Sequence, residues 1–318
     1  MRTKRSGAAP LRLASRPTRI HASANHKRSG ATASNESHRE KPVWLPRVTV
    51  VVPALNEARN LPHVLTKLPD DLHEVILVDG RSTDDTVAVA RKLRPAIRIV
   101  EQTRRGKGNA LACGFAEASG DIIVMLDADG SHDPAEIPDF VNVLLDGADF
   151  AKGSRFLTGG GSSDITRFRR SGNRWLNRIT NALCGTSYTD LCYGFNAFWR
   201  HCLPSLALEF EDGIEGGSGR MRWGDGFEIE TLINIRIARE GLVVTEVPSF
   251  ERLRLHGRSN LNAPIDGLRV LRTIAVEWGA HEQPAVPLPS VAQYRSTQPF
   301  DRFTPSVLPF ARDARDIA

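Results

Sequence analysis

Asp127-Ala128-Asp129 places two carboxylates two residues apart, directly after the apolar run Ile122–Leu126. Alternate residues of an extended segment point the same way, so both side chains can reach one ligand. Two hard oxygen donors suit a divalent cation, Mg2+ or Mn2+, whose shell is completed by ligand phosphates. Polar groups also follow the other early apolar runs. Pro53-Ala54-Leu55-Asn56-Glu57 closes the run from Val48, and Asp79-Gly80-Arg81-Ser82-Thr83-Asp84 closes the run from Glu74. Asp79 can accept from a base or a ribose hydroxyl. Carboxylates gathered at one edge are costly unless a cation or a ligand's donors compensate them. Gly106-Lys107-Gly108 has no Ser or Thr after its lysine, so it is not a nucleotide-binding P-loop and reads as a tight entry to a helix, with a place near the nucleotide as an even alternative. Gly159-Gly160-Gly161 lacks a strand–turn–helix context and reads as a mobile loop.

These groups need elements to hold them. The spacing predicts strands over Val48–Val52, Glu74–Val78, Ile97–Val100, Ile122–Leu126 and Asp149–Lys152. Helices are expected over Ala58–Leu68, Thr83–Leu93, Lys107–Ala118 and Pro134–Leu145. The strands are continuously apolar, as in a sheet covered on both faces. Strand–helix alternation of this kind implies an α/β fold with a doubly wound, mostly parallel sheet. Its functional groups then lie at the strand C-terminal ends. The later half is less regular. Helices are expected over Phe168–Leu183, Phe227–Glu240 and Ile265–Trp278, a strand over Val243–Val247, and a glycine-rich loop over Glu211–Gly226. In the last helix Leu268, Leu271, Ile274 and Ala275 form an apolar face, with Arg269 and Arg272 beside it. Such a face suits domain packing or a membrane interface, and packing is the first expectation. Trp223 and Trp278 are expected in the core.

The chain has 318 residues, 41% hydrophobic and 25% charged, an ordinary balance for a globular protein. No apolar run approaches the about 20 residues of a membrane span, and no repeat suggests a coiled coil or fibre. The net charge of +5 is unevenly spread: residues 1–46 carry +8 and the remainder −3. A near-neutral body argues against specific nucleic-acid binding by the fold. Residues 1–46 read as a disordered basic tail able to touch anionic lipid, 47–279 as the folded domain, and 280–318, with six prolines, as a largely irregular tail. The four cysteines, Cys113, Cys184, Cys192 and Cys202, show no zinc-ligand spacing and read as reduced thiols of a cytoplasmic protein.

The segments PALNE, VDGRSTDDT, RGKGNAL, DADGSHDP and KGSRF occur in that order, followed by Asp190–Phe195, Gly226–Glu230, and Glu246-Val247-Pro248 with Arg254 and Gly257–Leu261. Together they resemble family 2 glycosyltransferases of the GT-A fold, most of all the dolichol- or polyprenyl-phosphate mannosyltransferase branch. The resemblance spans about residues 47–275. It implies a nucleotide pocket lined by Pro53, Leu55 and Glu57, with Asp79 at the base and ribose. It implies nucleotide and Mg2+ or Mn2+ at Asp127 and Asp129, and phosphate neutralisation by Arg155 and Arg254. Glu230 is the recurrent acidic position, and Glu228 is its neighbour. Two departures stand out: Ser131, beside His132, where the branch commonly has Gln, and Asn260 where it often has Lys, with Arg258 a substitute charge.

The implied activity is metal-dependent, inverting transfer of a hexose from a GDP- or UDP-linked sugar to an acceptor, first of all polyprenyl phosphate, at or near the inner face of a membrane. An anionic lipid phosphate needs no strong base. A saccharide or other hydroxyl acceptor would need one, from Asp190, Asp225, Glu228 or Glu230. The reading of another class is an inactive nucleotide-sugar-binding module.

Overall fold

The structure, a computed structural model, describes residues 45–209, 221–257 and 263–280. The expected basic tail through residue 44, part of the glycine-rich loop (210–220), Arg258 and Asn260, and the Pro-rich tail from 281 lie outside the described residues.

The first half runs β1 (Val48–Ala54), α1 (Leu61–Leu65), β2 (Glu74–Asp79), α2 (Thr86–Leu93), β3 (Arg98–Glu101), α3 (Lys107–Glu117), β4 (Ile122–Met125) and α4 (Ile137–Leu145). The second runs β5 (Phe150–Ser154), β6 (Gly161–Ser162), α5 (Arg167–Cys184), β7 (Asn196–Trp199), α6 (Leu203–Leu206), α7 (Ile229–Arg239), β8 (Val244–Pro248), β9 (Phe250–Glu251) and α8 (Ala263–Ala280). Seven strands form one sheet in the order β3-β2-β1-β4-β7-β5-β8. Every neighbouring pair is parallel except those made by β7, which runs against both β4 and β5.

The chain leaves β1 toward β2 and β3, then returns to the other side of β1 as β4. The gap between β1 and β4 is therefore the topological switch point, where doubly wound sheets open a crevice beyond the strand C-termini. Val50, Val51 and Val52 of β1 and Ile122, Ile123 and Val124 of β4 are wholly buried. Continuous apolar strands need cover on both faces, which α3 and α4 help to supply.

Several expectations shift. The helix expected over Ala58–Leu68 is only α1, because the chain first turns at Glu57–Asn60 through Asn60 N–H and Leu61 N–H bonds to the Glu57 carbonyl. Helix α2 starts at Thr86, after Asp84 accepts the Thr86 N–H. Strand β7 was not foreseen: it is four residues long, fully buried, and has no periodicity to announce it. The glycine run at 159–161 leads into β6, which pairs with β9 in a separate two-stranded ribbon. Trp278 is 47% exposed rather than in the core. On α8, Val270 and Ile274 are buried, whereas Leu268, expected on the packed face, is 69% exposed.

Candidate active site

Two clusters of opposite charge stand at the switch point. In the first, Lys107, the first residue of α3, reaches Asp127 just beyond β4, with Nζ 2.7 Å from Oδ1 and 2.9 Å from Oδ2. The same ammonium lies 2.8 Å from Glu230 Oε1 in the first turn of α7. Burial opposes the lysine charge, but the two carboxylates outweigh it and hold its pKa above the ordinary value. Burial likewise pushes Asp127 upward, and Lys107 with His132 more than reverses it, so Asp127 stays below the usual carboxylate range. At Glu230 burial prevails over Lys107, and its pKa is raised.

In the second cluster Arg254 bridges two carboxylates. Its Nη1 lies 3.2 Å from Asp129 Oδ2, its Nη2 contacts Glu57 Oε1, and its Nε donates to the His256 carbonyl at 2.8 Å. Glu57 also accepts from Asn60 Nδ2, and its backbone N–H donates to Thr86 Oγ1 at 2.8 Å. Burial raises the Glu57 pKa despite Asn60 and Arg254. The other Asp129 oxygen accepts the Ser131 N–H at 2.9 Å, and the Ser131 carbonyl accepts the Arg252 N–H at 2.8 Å. Ser131 thus ties the aspartate loop to the segment after β9 that carries Arg254.

His132 supports Asp127 from behind. Its Nδ1 accepts the Asp127 backbone N–H at 3.2 Å, which leaves the proton on Nε2. The ring stacks on Phe195 and meets Tyr193 edge-on, and burial depresses its pKa.

Glycine makes the approach of elements possible at two places. A Cβ at position 108 would lie 1.8 Å from the Gly224 carbonyl oxygen, so only glycine lets the start of α3 press against the 224–225 loop. That contact aims Lys107 at Asp127, and the Gly108 N–H donates to the Asp225 carbonyl at 2.7 Å. A Cβ at position 194 would stand 2.9 Å from Lys107 Nζ, 3.1 Å from Glu230 Oε1 and 3.7 Å from Asp127 Oδ2. Gly194 therefore lets the backbone pack directly against the first cluster.

The nucleotide-side candidates gather beside these clusters. Leu55, 43% exposed, follows β1 and packs near Gly80 after β2. Asn56 takes φ 58°, and its side chain accepts the Thr83 N–H at 2.8 Å, tying the two loops together. Pro53 lies in β1 opposite Val78, and Asp79 ends β2 opposite Ala54, with its carboxylate accepting the Ser82 N–H at 3.1 Å.

Arg155 and Asp190 sit elsewhere. The Arg155 fork donates to Asp190 from Nε at 2.7 Å and from Nη2 at 2.9 Å, and its Nη1 reaches both Glu251 oxygens, at 3.1 and 3.0 Å. Asp190 is 0% exposed and also accepts from Asn173 Nδ2 at 2.9 Å. Burial would raise the Asp190 pKa, but the Arg155 bonds and charge carry it below the ordinary range. This arginine is saturated by carboxylates rather than open to a phosphate, and this aspartate has no oxygen free to take a proton from an acceptor. Asp225 is held in the same manner by Arg104, at 2.8 and 2.9 Å. Glu228 folds back on its own loop, accepting the Gly226 N–H at 3.3 Å, while Glu230 alone of the two faces Asp127 through Lys107. Lys107 is the residue that sequence reasoning left out of the site. Its signal was present in the paired glycines, which read as a tight helix entry with a place near the nucleotide as the alternative.

Glu57, Asp127, Asp129 and Glu230 bring four carboxylates to the site, against the two cations Lys107 and Arg254. Among the described residues no three His, Cys, Asp or Glu side chains converge as a ready-made metal cage. A surplus of hard oxygen donors without a closed cage fits Mg2+ or Mn2+, which retain water and take substrate phosphates as ligands.

Comparison with known proteins agrees with this architecture. The family model "Glycosyl transferase family 2" matches residues 49–205. The chain is 30% identical to an undecaprenyl-phosphate mannosyltransferase of Micrococcus luteus, over 73% of this chain and 94% of the relative. It is 28% identical to a polyprenol monophosphomannose synthase of Mycolicibacterium smegmatis, over 73% and 87%. It is 35% identical to a dolichol-phosphate mannosyltransferase of Pyrococcus furiosus, over 68% of this chain but 59% of that longer protein. Among solved structures, glucosyl-3-phosphoglycerate synthase of Mycobacterium tuberculosis with UDP superposes with TM-score 0.56 at 25% identity, covering 76% of this chain and 82% of that one. The fold is that of the GT-A glycosyltransferases. The chain belongs to glycosyltransferase family 2.

Proposed function

We propose that this glycosyltransferase moves a hexose, with inversion, from a GDP- or UDP-linked sugar to a polyprenyl phosphate. The acceptor phosphate oxygen attacks the anomeric carbon, the bond from that carbon to the β-phosphate oxygen breaks, and the nucleoside diphosphate departs with the electron pair. Asp127 and Asp129 would hold Mg2+ or Mn2+, which would supply neutralising charge to the diphosphate. Lys107 and Arg254 add donors at the same place, and Arg254 has the fork geometry that phosphate oxygens favour. Asp79 and Leu55 serve the nucleoside.

One observation carries the choice of acceptor: three of the four acidic candidates for a general base are held by cations, and the fourth, Glu228, turns one oxygen to the Gly226 N–H while its other oxygen is buried without a partner among the described residues. Lys107 holds Glu230, Arg155 holds Asp190, Arg104 holds Asp225, and Glu228 turns back to Gly226. A hydroxyl acceptor needs a base within hydrogen-bond reach, whereas a phosphate arrives already anionic. The relatives named for polyprenol and undecaprenyl phosphate support the same reading. No helix among the described residues is long and apolar enough to cross a membrane.

The test is transfer of label from GDP-mannose and UDP-glucose to short-chain polyprenyl phosphate or to the matching polyprenol. Labelled lipid is expected with the phosphate alone and is lost in Asp127→Asn. Label on the alcohol, or on a saccharide only, would overturn the acceptor. Donor binding without transfer to any acceptor would point to a binding module.

A further inference from the structure

Every carboxylate oxygen of the Asp127-Ala128-Asp129 turn already has a donor from the protein itself. Lys107 Nζ lies across Asp127, 2.7 Å from Oδ1 and 2.9 Å from Oδ2. On Asp129, Oδ1 accepts the Ser131 N–H at 2.9 Å and Oδ2 meets Arg254 Nη1 at 3.2 Å. A divalent cation can therefore take Asp127 only by displacing an ammonium. An ion pair broken on one side leaves an uncompensated charge, which opposes the displacement unless the ammonium finds another anion.

The Lys107–Asp127 pair is built to exchange. Its side chains are 14% and 26% exposed, whereas those of Arg104–Asp225 are 3% and 4%, and those of Arg155–Asp190 are 3% and 0%. The two closed pairs use guanidinium forks, whose planar geometry matches one carboxylate. Lys107 carries instead a compact charge with three donors on a flexible stem, which suits phosphate oxygens as well as carboxylate. Its backbone is anchored, because the next residue, Gly108, donates its N–H to the Asp225 carbonyl at 2.7 Å. Only the side chain needs to move.

Charge sets the terms of the exchange. Glu57, Asp127, Asp129 and Glu230 face Lys107 and Arg254, four carboxylates to two cations. A diphosphate arriving alone meets that surplus of like charge. A metal arriving alone strips Lys107 from Asp127 and leaves the ammonium with Glu230 as its carboxylate partner. When both arrive, the metal takes the carboxylate and the diphosphate receives the ammonium, so neither opposing term remains.

We propose that Lys107 is an exchangeable counter-ion: it holds Asp127 until Mg2+ or Mn2+ takes its place, then passes to the nucleotide's diphosphate, so that metal and diphosphate bind as a pair. The inference deepens the donor half of the proposed reaction and rests on it. It does not depend on the acceptor.

The experiment measures Mn2+ binding to the full chain by electron paramagnetic resonance of the free ion, and GDP and UDP binding by calorimetry with Mn2+ and with EDTA. Coupling is reciprocal: whatever factor Mn2+ adds to diphosphate affinity, the diphosphate adds to Mn2+. Wild type is expected to bind Mn2+ alone at least about tenfold more weakly than with the preferred diphosphate present, after subtraction of the Mn2+ held by nucleotide in buffer. Lys107→Gln should move the two affinities in opposite directions. Mn2+ alone should bind about fivefold tighter or more, and the diphosphate with Mn2+ about tenfold weaker, the scale of one lost charge-assisted hydrogen bond. A lysine that only supports the fold would weaken both when removed. One that never leaves Asp127 would leave the diphosphate unweakened. Either result overturns the proposal, as does equal Mn2+ affinity of wild type with and without GDP or UDP, which needs no variant. Coupled binding with opposite shifts supports the exchange even where label passes to an alcohol, which would overturn the acceptor alone. Uncoupled binding beside labelled lipid phosphate would overturn the exchange alone.

Discussion

Two arginines, each bridging two carboxylates, mark two different kinds of place in this molecule. Arg155 lies between Asp190 and Glu251, 5% exposed, with its fork filled at both ends. Arg254 lies between Asp129 and Glu57 at the switch point, its side chain 19% exposed and its partners part of a cluster with more carboxylates than cations. The first network is closed: it joins β5, the start of the 190–195 segment and β9, and nothing further is needed to satisfy it. The second has the same two carboxylates to one arginine but is partly open to solvent. Residue type does not separate the two. Exposure does: every nitrogen of both arginines is engaged, but only the Arg254 network reaches solvent, where a ligand can exchange with its partners.

The sharpest way to break this contrast is Arg155→Ala. Leaving Asp190 and Glu251 buried without their cation should cost about 3–5 kcal/mol. Thermal unfolding should then fall by about 10 °C, at 2–4 °C per kcal/mol for a domain of this size. A melting temperature within a degree or two of wild type would show that the closed network is not structural.

At the open network the loss should appear in turnover instead. Arg254→Gln is expected to lower kcat/KM by about 100-fold, the scale of one lost electrostatic donor in a site of this kind, with a small change in urea midpoint. Steady-state kinetics beside urea unfolding separates the two effects. A large stability loss with little kinetic change would reverse the assignment.

Acid titration refines the comparison. Asp190 has a folded-state pKa below its unfolded value, so its contribution to stability is full above about pH 4 and is lost as pH falls through the folded pKa. Asp190→Asn should therefore be markedly less stable than wild type at pH 7, and the gap should narrow below about pH 4. Urea midpoints at pH 7 and pH 3 measure it, and a gap that widens toward acid would contradict the pairing.

Gly194→Ala should act more gently on stability. The methyl meets the mobile ends of Lys107 and Glu230 rather than backbone, so the fold should lose less than about 1 kcal/mol while donor affinity drops. Donor titration by calorimetry reads this directly. Smallest of all is Arg81→Gln: its bridge to Glu101 joins side chains 52% and 71% exposed, and stability should stay within about 0.5 kcal/mol.

The same contrast explains what was legible in the sequence. Strands β1, β2 and β4 are short apolar runs closed by polar tips, so their positions and the place of Glu57, Asp79 and Asp127 follow from local pattern. The resemblance to family 2 glycosyltransferases added Arg254. Strand β7 was hidden because Asn196-Ala-Phe-Trp199 has neither alternation nor a run long enough to register, and its reversed direction depends on pairing with β4 and β5. The pairing of Arg155 with Asp190, 35 residues apart, leaves no local trace, so an arginine closed by carboxylates looked the same as one awaiting phosphate. Lys107 was in view, but its role depends on how closely Gly108 and Gly194 let backbone approach it, which only the folded chain displays.

The central claim is that the open carboxylate cluster is a metal-assisted site for a nucleotide-sugar diphosphate. Calorimetric titration of GDP-mannose and UDP-glucose into wild type and Asp129→Ala, each with Mn2+ and with EDTA, tests it most directly. The account predicts binding of one donor with Mn2+, at least tenfold weaker in EDTA and in Asp129→Ala. Equal affinity in all four conditions, or no binding of either donor, would contradict it.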